Sequence, residues 1–280
     1  MTPPALAVTS VPDITESDFR RVADITRAVA GIDLPHGKEG LVRARLARRL
    51  RALDLSSYAA YLDFVASDTG GVELREMVDA LTTNKTSFFR EPQHFDFMAR
   101  ELLPALATRG RTPRIWSAGC SSGEEAVTMG VVIRDTLPVA LQEGSRILAT
   151  DISARMLRRA REASYGAEQV AELPRDVVRR HFVPSRGGET WQPSASIRRM
   201  IRFARLNLMG EWPMRGSFDA IFCRNVMIYF DKPTQTRLVA RFRKMLAPGG
   251  YLFVGHSESL NGHSAGFRYV QPAVYALEEE

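Results

Sequence analysis

Two periodicities divide the chain. Up to about residue 85 the apolar positions recur at helical spacing, and from Arg114 short apolar runs alternate with helical stretches. In "TESDFRRVADITRAVAG" Phe19, Val22, Thr26 and Val29 follow one another at helical spacing. Thr15 stands as the N-cap with Asp18 three residues on, and Gly31 closes the helix. Val42, Leu46, Leu50 and Leu53 mark a second helix, and Ser56 or Ser57 opens a third through Tyr58, Leu62 and Val65. Leu74, Met77, Val78 and Leu81 mark a fourth. An all-helical N-terminal domain is predicted over residues 1–88.

Residues 89–280 read as an α/β domain. "RIWSA" leads through a glycine turn into the helix "EEAVTMGVVIRDTL", and "RILATD" leads into "SARMLRRAREA". "FDAIFCRN" leads into "PTQTRLVARFRKML", then "PGG" turns into "YLFVGHSES", and "AVYALEEE" ends the chain. Strands alternating with helices across short connections predict a parallel, doubly wound sheet. Between about 172 and 206 the rhythm breaks into turn residues and short alternating runs, which reads as a small β subdomain insert.

Composition narrows the class. With 280 residues, 45% hydrophobic and 25% charged, the chain has the length and apolar content to bury a core in one large domain or two modest ones. No long uncharged apolar run occurs, and "MTPPALAVTSVPD" lacks the basic start and apolar block of a secretory signal. Cys120 and Cys223 suffice for neither a disulfide framework nor a four-cysteine zinc site, so a reducing compartment is expected. A cytoplasmic protein without direct membrane insertion follows. The net charge of +6 is unevenly spread. Residues 1–90 balance, yet 38–51 hold Lys38 and five arginines against Glu39 alone, and 152–205 hold twelve arginines against five acids. On the second helix Arg45, Arg48 and Arg49 cluster on one side. Such patches fit an acidic partner or a merely solvated face.

The turn in "IWSAGCSSGEEAVTMG" holds the candidate chemistry. In doubly wound sheets ligands bind beyond the carboxyl ends of the strands, which here bear Gly119 to Glu124, Asp151 and Arg224–Asn225. The turn has neither G-x-G-x-x-G nor a P-loop lysine, and Glu124 and Glu125 in the first helical turn repel a phosphate. Asp151 suits the vicinal hydroxyls of a ribose. A ligand with a ribose, no phosphate and some positive charge is indicated, and S-adenosylmethionine meets that description. The alternative is a turn packed for structural reasons, with surface glutamates.

"LTTNKTSFFRE", "WSAGCSSGEE", "ATDIS", "NLM", "FDAIFCRNVMIYFDKPTQ" and "PGGYLFVGHSESL" together resemble the chemotaxis receptor methyltransferases, the CheR family, from about Phe19 to Leu277. "NKTSFFRE" joined to "FCRNVMIYF" is the most specific part. The resemblance implies a SAM-dependent protein-glutamate O-methyltransferase. Its fold would be a helical domain followed by a Rossmann-like SAM-dependent methyltransferase domain with a β subdomain. It also implies S-adenosylhomocysteine as product, chemoreceptor cytoplasmic domains as partners, and a monomer recruited to membrane receptor arrays. Position by position, Asn84, Thr86 and Arg90 resemble the family's cofactor-contacting segment. Gly119 lies in the cofactor turn, and Glu124 and Asp151 resemble the acidic cofactor ligands. Asn207 and Leu208 would flank the adenine, and Arg224 and Asn225 would line the pocket. Arg90 and Tyr229 resemble the pair beside the transferring methyl. Arg45, Arg48 and Arg49 belong to the helix that the resemblance implies in substrate recognition. Without it, Asn84 and Thr86 read as helix caps and Tyr229 as a core aromatic. His94, His256 and His263 show no metal-ligand spacing, and no metal site is expected.

The implied chemistry asks for few groups. A glutamate side chain, which in water titrates near pH ~4.3, is already ionised near pH ~7, so no base is needed to prepare the nucleophile. Two other classes compete. A SAM-dependent RNA-modifying or basic nucleic-acid-binding protein draws on the pI of about 9.6, but the aromatic and basic residues are not interleaved as stacking platforms are. A non-catalytic SAM sensor is disfavoured by the presence of both Arg90 and Tyr229.

Overall fold

Local capping chemistry sets the first helices. In a computed structural model describing residues 13–185, 187–260 and 266–278, α1 (Glu16–Ala30) begins where Thr15 Oγ1 accepts from the Asp18 amide at 3.1 Å. It ends at Gly31, whose φ of 72° favours a residue without a β-carbon. Residues 1–12, which include most of the segment read as lacking a secretory signal, lie outside the described residues, as does His263. Next come α2 (Glu39–Ala52), α3 (Tyr58–Ser67), capped by Ser57, and α4 (Val72–Leu81). Phe19, Val22, Val42, Leu46, Leu50, Tyr61, Leu62, Met77 and Val78 are buried, so each helix turns its apolar stripe inward.

The basic face of α2 is not wholly free. Arg49 forks onto Glu73 of α4, Nε to Oε1 at 2.9 Å and Nη2 to Oε2 at 2.5 Å, and Tyr61 of α3 donates to the same carboxylate at 2.8 Å. Hydrogen bonding to Glu73 raises the Arg49 pKa above its ordinary value, outweighing burial. Arg45 donates to the Leu81 carbonyl and to Thr83 Oγ1. Arg45 and Arg49, read from the sequence as part of the basic face of α2, thus have acceptors within the helical unit. Tertiary packing supplies acceptors from α4 and its end that helix periodicity does not reveal. Arg48 remains exposed, as does Arg51 one turn on.

The chain divides between Thr83 and Asn84, five residues before the boundary drawn from sequence. The second unit opens with α5 (Gln93–Phe97), a π turn at Met98–Leu102 and α6 (Leu103–Thr108). Then β1 (Arg114–Ala118), α7 (Glu124–Thr136), α8 (Val139–Gly144), β2 (Arg146–Asp151) and α9 (Ala154–Glu162) follow in winding order. After them come β3 (Tyr165–Gly166), α10 (Ala167–Ala171), α11 (Arg175–His181), β4 (Phe182–Pro184), β5 (Thr190–Pro193) and α12 (Ala195–Met200). The chain finishes with β6 (Ile201–Arg205), β7 (Phe218–Cys223), a 3-10 turn at Met227–Tyr229, α13 (Lys232–Met245), β8 (Leu246–Val254), β9 (Phe267–Gln271) and β10 (Val274–Leu277).

The main sheet has seven strands in the order β6-β2-β1-β7-β8-β10-β9. The pairs from β6 to β8 are parallel, while β10 runs antiparallel to both β8 and β9. The doubly wound sheet is thus mixed, closed at one edge by a hairpin. Its central strands are buried on both faces: Phe222 and Phe253 stack at 4.0 Å, and Trp116 meets Trp212 edge-on at 4.9 Å.

The β subdomain lies earlier than predicted. It is the three-stranded sheet β3-β5-β4, spanning Tyr165 to Pro193, whereas Ile201–Arg205 pairs with β2 in the main sheet. The misreading has a physical cause. An edge strand is partly exposed like an isolated hairpin strand, and β6 mixes exposed and half-buried positions with none fully buried.

Candidate cofactor site and active centre

Strand β1 ends in a backbone that bare glycines make possible. Gly119 has φ 101°, and a β-carbon there would lie 2.5 Å from Val226 Cγ2, so only glycine lets the turn reach the loop after β7. The Gly119 and Cys120 amides both donate to the Thr150 carbonyl, at 2.8 and 2.9 Å. Asp151 closes β2 with its carboxylate fixed by two amides, Ser121 to Oδ2 and Ser153 to Oδ1, each at 2.8 Å. Ser121 also donates through its hydroxyl to the Asn84 carbonyl at 3.0 Å. Three sequence-predicted positions, Asn84, Gly119 and Asp151, are thereby tied to one turn.

Glu124 opens α7 almost fully buried, and no ion pair to it occurs among the described residues. It accepts from Ser122 Oγ and, at 3.2 Å, from Gln169 of α10. Burial pushes its pKa above the ordinary carboxylate range. Neighbouring Glu125 serves another purpose. It accepts from Ser117 Oγ at 2.6 Å and from Arg224 Nη1 at 2.9 Å, and burial still raises it despite that cation.

Arg224, expected to line the cofactor pocket, is buried at the end of β7. Its side chain is only 3% exposed and is held by Glu125, by Glu91 at 3.1 Å, and by the Arg90 carbonyl, to which Nη2 donates. A guanidinium at the buried end of β7 is thus paired with two acids and a carbonyl. Burial drives Glu91 upward, but Arg224, the His256 backbone and Asn225 together outweigh it and hold that carboxyl below the usual range. Asn225, at φ 58°, donates to Glu91 Oε1 at 3.3 Å. Phe89, Glu91, Ser121 and Asn225 all take positive φ around this end of the sheet, a concentration typical of functional sites.

Arg90 is half-buried, with Nη1 donating to the Lys85 carbonyl at 2.8 Å. Thr86 is half-buried in the segment just before it. Tyr229 is half-buried at the end of the 3-10 turn. Asn207 and Leu208 follow β6, which pairs with β2 up to Asp151 and Arg205. Asn207 Oδ1 accepts from the Met209 amide at 2.9 Å. The Leu208 carbonyl accepts from Arg241 at 2.5 Å and from Trp212 Nε1 at 3.3 Å.

The fold also gathers residues that sequence spacing kept apart. Glu91, His94 and His256 bring one possible ligand atom each within 4.8 Å. His94 is fully buried, without a hydrogen-bond partner for either ring nitrogen, and burial with Arg224 lowers its pKa to about 4. The Glu91 carboxylate, however, is engaged by Arg224 and Asn225, and a cation there would face the guanidinium. Cys120 and Cys223 are free and buried, and burial raises both thiols well above their ordinary value. Glu91 and Glu258 lie inside the sequence motifs, yet sequence reasoning gives neither a role, and it reads Glu125 only as repelling a phosphate. Gln169 carries no sequence signal at all, because its partner Glu124 is reached only through the fold.

These residues fit S-adenosylmethionine on three counts. The glycine turn offers bare backbone at a strand end, Asp151 presents an oriented carboxylate, and Glu124 is a buried carboxyl group with no ion pair among the described residues. Comparisons with known proteins agree. Residues 17–82 match the CheR methyltransferase all-alpha domain, and residues 84–276 match the CheR methyltransferase SAM binding domain. A chemotaxis protein methyltransferase of Borreliella burgdorferi is 36% identical over 270 residues, covering 94% of this chain and 95% of that protein. Chemotaxis protein methyltransferase 2 of Pseudomonas aeruginosa is 39% identical over 265 residues, covering 94% and 93%. A probable chemotaxis protein methyltransferase of Rhizobium etli is 40% identical over 241 residues, covering 84% and 90%. With both domains matched in order and the cofactor turn built as described, the chain belongs to the CheR methyltransferase family.

Proposed function

We propose that this protein methylates glutamate side chains in the cytoplasmic domains of methyl-accepting chemotaxis receptors, forming methyl esters and S-adenosylhomocysteine. The observation that carries the reading is the convergence of Asn84, the Gly119 turn, Glu124 and Asp151 with the Arg90 and Arg224–Asn225 segments at one end of the sheet. Bound S-adenosylmethionine supplies an activated methyl on a sulfonium, which a carboxylate oxygen displaces in line, the bonding pair returning to sulfur. No proton moves, so the chain need not supply a base. Its residues act by orientation and by excluding water.

In this reading Asp151 accepts from the ribose, and Glu124 answers the positive charge of the cofactor. Asn84, Thr86, Gly119 and Asn225 shape its pocket, and Asn207 with Leu208 flanks the adenine. Arg224 acts behind this layer by fixing Arg90 through its carbonyl. Arg90 and Tyr229 orient the incoming carboxylate and the methyl. An arginine gripping both carboxylate oxygens would blunt the nucleophile, so a single-point contact suits Arg90 better. The helical domain serves receptor recognition, with Arg48 and Arg51 among the exposed charges of α2. The protein acts as a monomer, without nucleic acid or membrane insertion, and is brought to receptor arrays by its substrates. No helix among the described residues is long and apolar enough to cross a membrane.

Transfer of labelled methyl from S-adenosylmethionine to purified receptor cytoplasmic domains tests the proposal, with total RNA as a parallel substrate. Label on receptor that is released by mild base is the expected result. Base-stable label on receptor, or label on RNA alone, would overturn it.

A further inference from the structure

Glu258 is the acid of "VGHSES", just beyond β8, and the function proposed above leaves it without a task. It is buried, and no cation pairs with it among the described residues. Its carboxylate binds backbone instead. Oε2 accepts from the Gly255 amide at 2.5 Å and the Asn225 amide at 2.8 Å, and Oε1 accepts from the Ile228 amide at 3.0 Å. Two of these donors lie some thirty residues earlier in the chain, in the loop that follows β7.

That loop carries Asn225 in the left-handed region and runs into the 3-10 turn Met227–Tyr229. A turn of three residues makes few hydrogen bonds of its own, so its position must be set from outside. The Tyr229 amide closes on the Val226 carbonyl at 3.2 Å, and the Glu258 carboxylate holds the residues just before it. Close approach depends on position 255 being glycine. A β-carbon there would collide with Asn225 Nδ2 and lie 2.8 Å from both the Asn225 amide nitrogen and Glu258 Oε2. Burial raises the Glu258 pKa while the surrounding amides pull it down. An acid kept in so unfavourable a place with three amides and no cation is a clamp on backbone.

We propose that Glu258 is a positioning residue, which holds the Asn225 and Ile228 amides so that the following turn aims Tyr229 at the transferring methyl. The inference rests on the reading of Tyr229 given above. Glu258→Gln keeps the size of the side chain but leaves one acceptor oxygen where three donors converge, and its amide group faces donors with donors.

The test is a double-mutant cycle on receptor methylation with Glu258→Gln, Tyr229→Phe and the combined variant, S-adenosylmethionine affinity being followed by calorimetry. Glu258→Gln should lower kcat about tenfold or more, with a smaller loss in cofactor affinity. The combined variant should lose no more than the worse single variant, because a hydroxyl that is no longer aimed has nothing further to lose. Multiplying losses would overturn the proposal while leaving the Tyr229 reading intact. Wild-type turnover in Tyr229→Phe alone would overturn both, and is told apart by the single variant. Should Glu258→Gln fail to fold, Glu258→Asp retains the charge and withdraws it from the amides. The same cycle then applies, with a smaller expected loss.

Discussion

Arg49 and Arg224 are both held by acids, in different surroundings. Arg49 forks onto Glu73 between two regular helices, with Tyr61 completing the acceptor. Arg224 sits at the end of a strand between Glu91 and Glu125 and reaches on to a carbonyl of the chain beside it. Around Arg49 the backbone is helical throughout. Around Arg224 it is strained, with Glu91 and Asn225 at positive φ. The first arrangement ties helix to helix. The second uses the same chemistry to fix a backbone segment whose side chain, Arg90, is proposed to face the substrate. On the proposed role of Arg90, similar ion pairs thus stabilise in one place and position in the other, and the backbone around them is the better guide to which.

Removing each arginine separates the two cases. Arg224→Met should lower kcat on the order of 100-fold, because a small displacement of Arg90 suffices for that. Leaving Glu91 and Glu125 buried together should also destabilise the fold by roughly 3–5 kcal/mol. Denaturation and steady-state assays on the folded fraction measure both, and unchanged kcat would erase the distinction drawn here. Arg49→Met should cost about 3 kcal/mol of stability, the lower end because the pair is partly exposed, while kcat at saturating receptor stays at the wild-type value.

Asp151 sharpens the comparison, being an acid whose carboxylate is held by the Ser121 and Ser153 amides. Asp151→Ala should weaken S-adenosylmethionine binding by roughly 1–3 kcal/mol in calorimetry, and an unchanged dissociation constant would remove it from the site. The smallest effect concerns the charges that remain free on α2. Reversing Arg48 and Arg51 to glutamate should raise the KM for receptor several-fold at low salt and flatten its salt dependence, with cofactor affinity unchanged. If receptor is methylated as before, the exposed face of α2 is only solvated.

What was legible in the sequence was local. Thr15 and Gly31 bound α1, Ser57 caps α3, and the runs ending at Ala118, Asp151 and Cys223 are strands because apolar period and turn residues lie side by side in the chain. The cofactor turn was legible for the same reason. The pairs that position the centre were not. Arg224 is separated from Glu91 by 133 residues and Glu258 from Asn225 by 33. No periodicity records which acid a topology will deliver to which loop. Strand β6 was misread because an edge strand and a hairpin strand share one pattern, and only pairing with β2 tells them apart.

The aromatic cluster beneath the sheet has an optical consequence. Of three tryptophans, Trp116 and Trp212 are in ring contact, while Trp191 sits in the separate three-stranded sheet. Trp212 lies 3.8 Å from the Arg241 guanidinium and donates to the Leu208 carbonyl, which Arg241 also holds. An indole against a cation, touching a second indole, emits according to where that cation stands. Any shift of the segment from Asn207 to Gly210 as the proposed adenine site fills should therefore change the intrinsic fluorescence, giving occupancy a signal that needs no label and no turnover.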